Sequence, residues 1–178
     1  MTIAVYSGTF DPVTNGHVDI IKRASTVFDR LIIGIYDKPD KQLLFSLSER
    51  IGMVKKVVAD LPNVYVKSYA GLTVDFVREV NGTVMIRGLR ASSDFEQEFG
   101  MALMNKKLAP DIELVCLITS AEYQFIHSSL IKEVARLGGC LEGMVPDHVA
   151  TALKEKFSVK VQQVSKGKAR AKIKHIKI

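Results

Sequence analysis

The sequence predicts an α/β fold, a single open, doubly wound five-stranded parallel sheet followed by C-terminal helices and a basic tail. Short apolar, β-branched runs recur along the chain, at Ile3 to Tyr6, Leu31 to Tyr36, Val64 to Val66, Thr83 to Arg87 and Leu114 to Ile118, and each is a candidate strand. Between them lie segments of helical period. Strands alternating with helices demand right-handed βαβ crossovers, and hence a parallel sheet covered on both faces.

Each element has its own signal. Ile3 to Tyr6 has neither a basic lead-in nor a small-residue cleavage site, so it reads as a strand rather than a signal peptide. Ile20, Ile21, Ala24, Val27 and Phe28 form the apolar face of the first helix. Ile51, Val54, Val58 and Leu61 do the same for the second, which opens with the capping box Ser46-Leu47-Ser48-Glu49. Phe76, Val77 and Val80 mark a third helix. Phe95, Phe99, Ala102 and Leu103 mark a fourth, with Ser93-Asp94-Phe95-Glu96 as its capping box. Two helical patterns, Ser128 to Leu137 and Asp147 to Phe157, follow the fifth strand, the second introduced by Pro146.

Composition narrows the function classes. The chain has 178 residues, 47% hydrophobic and 25% charged, enough for one compact domain. No stretch is long and apolar enough to span a bilayer. Cys116 and Cys140 have neither a C-x-x-C pattern nor histidines at metal-ligand spacing, so a reduced, cytoplasmic chain is expected. The net charge of +6 comes from the end of the chain, where seven basic residues and no acidic ones follow Phe157. Without those seven, 18 basic residues face 19 acidic ones. The division expected is therefore a domain over 1–157 and a basic extension over 158–178.

Open α/β sheets bind ligands beyond the carboxyl ends of their strands. After the first strand comes Ser7-Gly8-Thr9-Phe10-Asp11-Pro12-Val13-Thr14-Asn15-Gly16-His17, which contains neither a dinucleotide fingerprint nor a Walker lysine. It does place backbone amides and an imidazole at a helix start, where a phosphate is favoured. After the fourth run comes Arg87-Gly88-Leu89-Arg90, whose forked guanidiniums suit phosphate oxygens. After the fifth comes Tyr123-Gln124-Phe125-Ile126-His127-Ser128-Ser129, hydroxyls and amides at another helix N-terminus. A lone Gly-His pair is ordinarily a helix start; three converging strand ends point to a triphosphate.

Together, Thr14-Asn15-Gly16-His17, Ile86-Arg87-Gly88-Leu89-Arg90 and Ser128-Ser129-Leu130-Ile131-Lys132-Glu133 resemble the signatures of the phosphopantetheine adenylyltransferase family, over roughly Thr2 to Phe157. The resemblance implies a Rossmann-like nucleotidyltransferase fold and transfer of an adenylyl group from ATP to 4′-phosphopantetheine, giving dephospho-coenzyme A and pyrophosphate. It further implies that His17, Lys41 and Arg90 are catalytic, and that Thr9, Lys41, Thr73 and Arg87 hold the acceptor. Thr9, Phe10, His17, Gly88, Leu89, Arg90, Glu98 and the run Tyr123, Gln124, Phe125, Ile126, His127, Ser128 and Ser129 would form the ATP site. The alternatives are a solvated loop lysine for Lys41, plain surface for Glu98 and a helix start for Thr73, and alignment with the family favours the functional reading of Lys41.

Mg²⁺ is expected as cofactor, carried mainly on nucleotide oxygens and water, since no carboxylate cluster suggests a protein cage. A homohexamer and competition by coenzyme A are also implied. The chain departs from the family at His127, usually serine, and at Ser7, commonly proline; His127 could face the β or γ phosphate or pack against the helix. Two rival readings stay open. One is a relative using CTP, or using nicotinate mononucleotide or glycerol phosphate as acceptor. The other is a nucleic-acid binder acting through the tail, which lacks aromatic residues for base stacking; deletion of 158–178 with salt-dependent RNA binding measured beside adenylyl transfer separates it.

Overall fold

The computed structural model of the protein describes residues 1–40, 42–90 and 92–158. Lys41, expected in the acceptor site, and the basic extension beyond Ser158 lie outside the described residues. Strands and helices alternate as β1 (Ile3–Gly8), α1 (Asn15–Val27), β2 (Arg30–Tyr36), α2 (Leu47–Val57), β3 (Val64–Tyr69), α3 (Thr73–Glu79), β4 (Val84–Leu89), α4 (Ser92–Leu108), β5 (Glu113–Ile118) and α5 (Ser128–Arg136). The chain is helical again over residues 147–158. All strand pairs are parallel, in the order β3-β2-β1-β4-β5. Winding therefore runs outward from β1 to β3 and then crosses back to β4, so the switch point lies between β1 and β4.

Alternation along the strands divides the core in two. Ala4, Tyr6, Leu31, Ile33, Ile35 and Ile86 face α1, α2, α5 and the last helix through Ile20, Ile21, Val54, Ile131 and Leu153. Ile3, Val5, Ile32 and Met85 face α3 through Val74, Phe76, Val77 and Val80. The β2 and α3 layers close at Gly34, where an added Cβ would lie 2.6 Å from the Phe76 ring. That ring is stacked on Tyr69 at 4.4 Å, and Phe76 is only 2% exposed. Gly34→Ala is thus expected to cost about 1–3 kcal/mol by overpacking, seen as a melting temperature lowered by several degrees; an unchanged melt would show that the layers can separate there.

Three expectations need correction. β1 and β4 extend to Gly8 and Leu89, because Ser7 pairs with Gly34 and Gly88 with Leu117 through backbone alone. Gly88 and Leu89 therefore belong to the strand rather than to a loop after it. The box at Ser46 and Glu49 forms as expected, with reciprocal bonds of 3.3 and 2.8 Å. α4, however, begins at Ser92, ahead of the serine expected to cap it. Its apolar stripe does not face this chain's core, for Phe95, Phe99 and Leu103 are 55%, 55% and 59% exposed. Cys116 and Cys140 are unpaired. No helix among the described residues is long and apolar enough to cross a membrane.

Candidate active site

At the carboxyl end of β1 the chain enters α1 through Thr14, whose extended backbone (φ −121°, ψ 167°) makes it the N-cap. The His17 N–H donates to Thr14 Oγ1 at 3.4 Å, and the Thr14 N–H donates to His17 Nδ1 at 3.0 Å. This is a capping box in which histidine takes the place of glutamate. A backbone N–H can only donate, so Nδ1 must accept and the proton of the neutral ring sits on Nε2. Burial, aided by the Arg90 charge, pulls the imidazole from 6.5 down to about 3. The ring is therefore a neutral donor at physiological pH.

Around it the loop is tightly built. Phe10 meets the His17 ring edge-on at 5.0 Å and the Tyr6 ring at 5.5 Å. The residue is only 3% exposed and its ring belongs to the core beneath the loop. Its backbone has φ 48°, the left-handed region that costs an ordinary residue about 1–2 kcal/mol. The Tyr6 hydroxyl is pushed up by burial, only partly offset by Arg87 and Arg90, and stays protonated. Gly88 lets α1 close on β4 beside it, since a Cβ there would meet Ile20 at 3.1 Å and the Tyr6 hydroxyl at 3.4 Å.

Two adjoining basins share His17 and Arg90. Thr9, Phe10, Asp11, His127, Ser128, Ser129 and Lys132 complete one. Tyr6, Ser7, Thr14, Gly16, Arg87, Gly88, Glu98, Thr119 and Ile126 complete the other. Arg90 Nη1 donates to the Ile126 carbonyl at 3.2 Å. Ser128 Oγ donates to the Pro12 carbonyl at 2.9 Å, tying the start of α5 to the loop after β1. His127 is the N-cap of α5 and makes no side-chain cap bond.

Arg87, expected to meet phosphate, pairs here with Glu98, its Nε 3.2 Å from Oε2. The same guanidinium donates to the Ser7 carbonyl at 3.0 Å. Glu98 thus enters the site through Arg87. Other expected residues lie apart from the two basins. Thr73 starts α3 with its hydroxyl 3.0 Å from that of Tyr69, and Leu89 accepts from Thr119 N–H at 2.8 Å. Gln124 is 3.4 Å from the Thr119 carbonyl. Phe125 is 57% exposed. Tyr123 packs its Cβ near Gly16.

Sequence reasoning passed over two charged residues in the basin. Asp11, nearly fully buried, accepts from the Leu44 and Phe45 amides and from Lys132 Nζ at 2.7 Å. Lys132 follows Ser128 by four residues, and that spacing, which puts both on one helix face, was the available signal. Nothing local marks Asp11.

A parallel sheet with its switch point beside a capped histidine, two arginines and a serine-bearing helix N-terminus defines a nucleotidyltransferase. Residues 5–134 match the cytidylyltransferase-like family. The chain is 59% identical over 149 residues to the phosphopantetheine adenylyltransferase of Clostridium tetani, covering 84% of this chain and 93% of that one. It is 55% identical to that of Carboxydothermus hydrogenoformans (88% and 97% covered) and 51% identical to that of Dictyoglomus thermophilum (92% and 100%). The chain belongs to the phosphopantetheine adenylyltransferase family. A solved structure, a putative nicotinate-nucleotide adenylyltransferase from Vibrio parahaemolyticus, shares the fold with TM-score 0.65 at 17% identity, over 88% of this chain and 95% of that one.

Proposed function

We propose that the protein transfers the adenylyl group of ATP to 4′-phosphopantetheine, yielding dephospho-coenzyme A and pyrophosphate. The observation that carries this reading is that His17, Arg90 and the α5 N-terminus, arriving from three strand ends, line one basin. The acceptor phosphate is already anionic, so its oxygen attacks the α-phosphorus with no proton to remove. The bond from the α-phosphorus to the bridging oxygen breaks, and its electron pair leaves with pyrophosphate. Catalysis is then in-line positioning and stabilisation of spreading charge. His17 Nε2–H donates to a non-bridging α-phosphate oxygen. Arg90, Lys132 and the first amides of α5 take the β and γ phosphates. Arg87, with Lys41, takes the acceptor phosphate.

No group of three or more His, Cys, Asp or Glu side chains is placed to hold a metal among the described residues. Asp11 is already engaged by three donors. The donor set suits phosphate oxygens rather than a cation, so Mg²⁺ would ride on the triphosphate and water, neutralising the leaving pyrophosphate. We also propose a cytoplasmic homohexamer open to competition by coenzyme A; the uncovered stripe of α4 supports self-association.

Turnover with ATP and 4′-phosphopantetheine, set beside CTP, nicotinate mononucleotide and glycerol phosphate, tests the reading. Activity confined to the other substrates would overturn it. Arg87→Ala is expected to raise the acceptor's KM about 10- to 100-fold, as loss of a charge-assisted bond does, with the KM for ATP little changed. A rise in the ATP KM alone would move Arg87 to the nucleotide side.

A further inference from the structure

Arg50, on α2, is 1% exposed and among the largest fully buried side chains. Its guanidinium reaches backbone carbonyls in the loop after β1 and at the end of β2. Nη1 donates to Thr9 O at 2.8 Å and to Tyr36 O at 2.7 Å, and Nη2 is 3.3 Å from Asp37 O. A buried cation is costly to desolvate, and an apolar side chain of similar length would fill the same space more cheaply. What the apolar side chain could not do is fix the direction of the peptide groups the guanidinium holds.

That direction matters at Thr9. The Thr9–Phe10 peptide is trans, so its C=O and N–H point opposite ways. Holding Thr9 O against Arg50 turns the Phe10 N–H away from Arg50. Thr9 and Phe10 line the basin with His17 and Arg90, and Arg50 is not among its lining residues. The left-handed φ of 48° at Phe10 is a conformation that persists only where its surroundings over-determine it. A cation on the carbonyl also polarises the peptide and strengthens its N–H as a donor. We propose that Arg50 is a positioning residue that presents the Phe10 N–H to the nucleotide's phosphates and holds this loop at a fixed distance from the end of β2. The proposal rests on the reading of the basin as the phosphate site.

Thr9-Phe10 is the one Thr-Phe step in the sequence. Full-length protein labelled with ¹³C-carbonyl threonine and ¹⁵N-phenylalanine therefore reports the Phe10 amide as a single carbonyl-filtered signal. A second sample labelled at serine follows Ser128 and Ser129. Titration with pyrophosphate is expected to move the Phe10 proton downfield in the wild type. In Arg50→Met that shift should fall to less than about half, and kcat about tenfold or more, with the acceptor's KM unchanged. Arg50→Lys, keeping the charge and some donors, should recover part of both.

A Phe10 signal that stays still while Ser128 and Ser129 respond would overturn the inference and leave the phosphate site standing. If none of them responds, the reading of the basin falls and takes the inference with it. A folded Arg50→Met with wild-type kcat and Phe10 shift would reduce Arg50 to a packing residue. Should Arg50→Met not fold, Arg50→Lys carries the same comparison: a partial loss of shift and kcat supports the proposal, and wild-type values overturn it.

Discussion

Replacing His17 with alanine is expected to lower kcat by about 10²- to 10³-fold while the KM for ATP stays within about twofold, the signature of a donor that acts on charge developing in the transition state. The Thr14 N–H occupies Nδ1 at 3.0 Å, leaving Nε2–H as the ring's donor. Because burial holds the imidazole at about 3, the ring does not titrate near neutrality. kcat should therefore show no inflection from His17 between about pH 5 and about pH 8. Stability carries the opposite sign of information. The unfolded ring takes up a proton as pH falls through 6.5, whereas the folded ring does not until about 3. Its burial thus contributes most above 6.5, and stability is lost as pH falls from there toward 3. Denaturant midpoints of wild type and His17→Gln should converge over that range. A kcat inflection near the ordinary histidine value that vanishes in His17→Gln would show that the imidazolium, not the neutral ring, is the working form.

How much of this was legible in the sequence depends on how local each cause is. All five strands could be read because each carries a short run of β-branched or aliphatic residues between segments of helical period. The carboxyl ends of β2 and β5 could be read too, but those of β1 and β4 could not, since Ser7, Gly8 and Gly88 pair through backbone that no side-chain pattern announces. The histidine was found, but its role as the cap's reciprocal acceptor was not, because that position is ordinarily filled by glutamate or glutamine. On α4 the period of Phe95, Phe99 and Leu103 was read correctly while the side it faces was not. Amphipathicity tells that a stripe will be covered but not whether the cover is the same chain. Arg50 follows a capping box on α2, and nothing in the local sequence marks it. Only the fold brings Thr9, 41 residues away, against its guanidinium.

Asp11 is the extreme of that non-locality, and its removal is expected to be the costliest change to stability. Its side chain is 2% exposed and joins three segments: its own loop, the Leu44 and Phe45 amides leading into α2, and Lys132 on α5, 121 residues away. Asp11→Ala leaves a part-buried ammonium without its partner and two amides without an acceptor. Breaking a buried pair from one side costs about 3–5 kcal/mol, which for a chain of this size lowers the melting temperature by about 6–20 °C. Asp11→Ala combined with Lys132→Met removes both charges and should recover part of the loss, because the penalty lies in the orphaned charge more than in the missing attraction. The urea midpoints of the two single variants and the double variant separate these terms. A loss in Asp11→Ala no larger than that of a surface aspartate would mean that water reaches Lys132, and that the loop after β1 and the start of α5 are held together by the Ser128 to Pro12 bond instead.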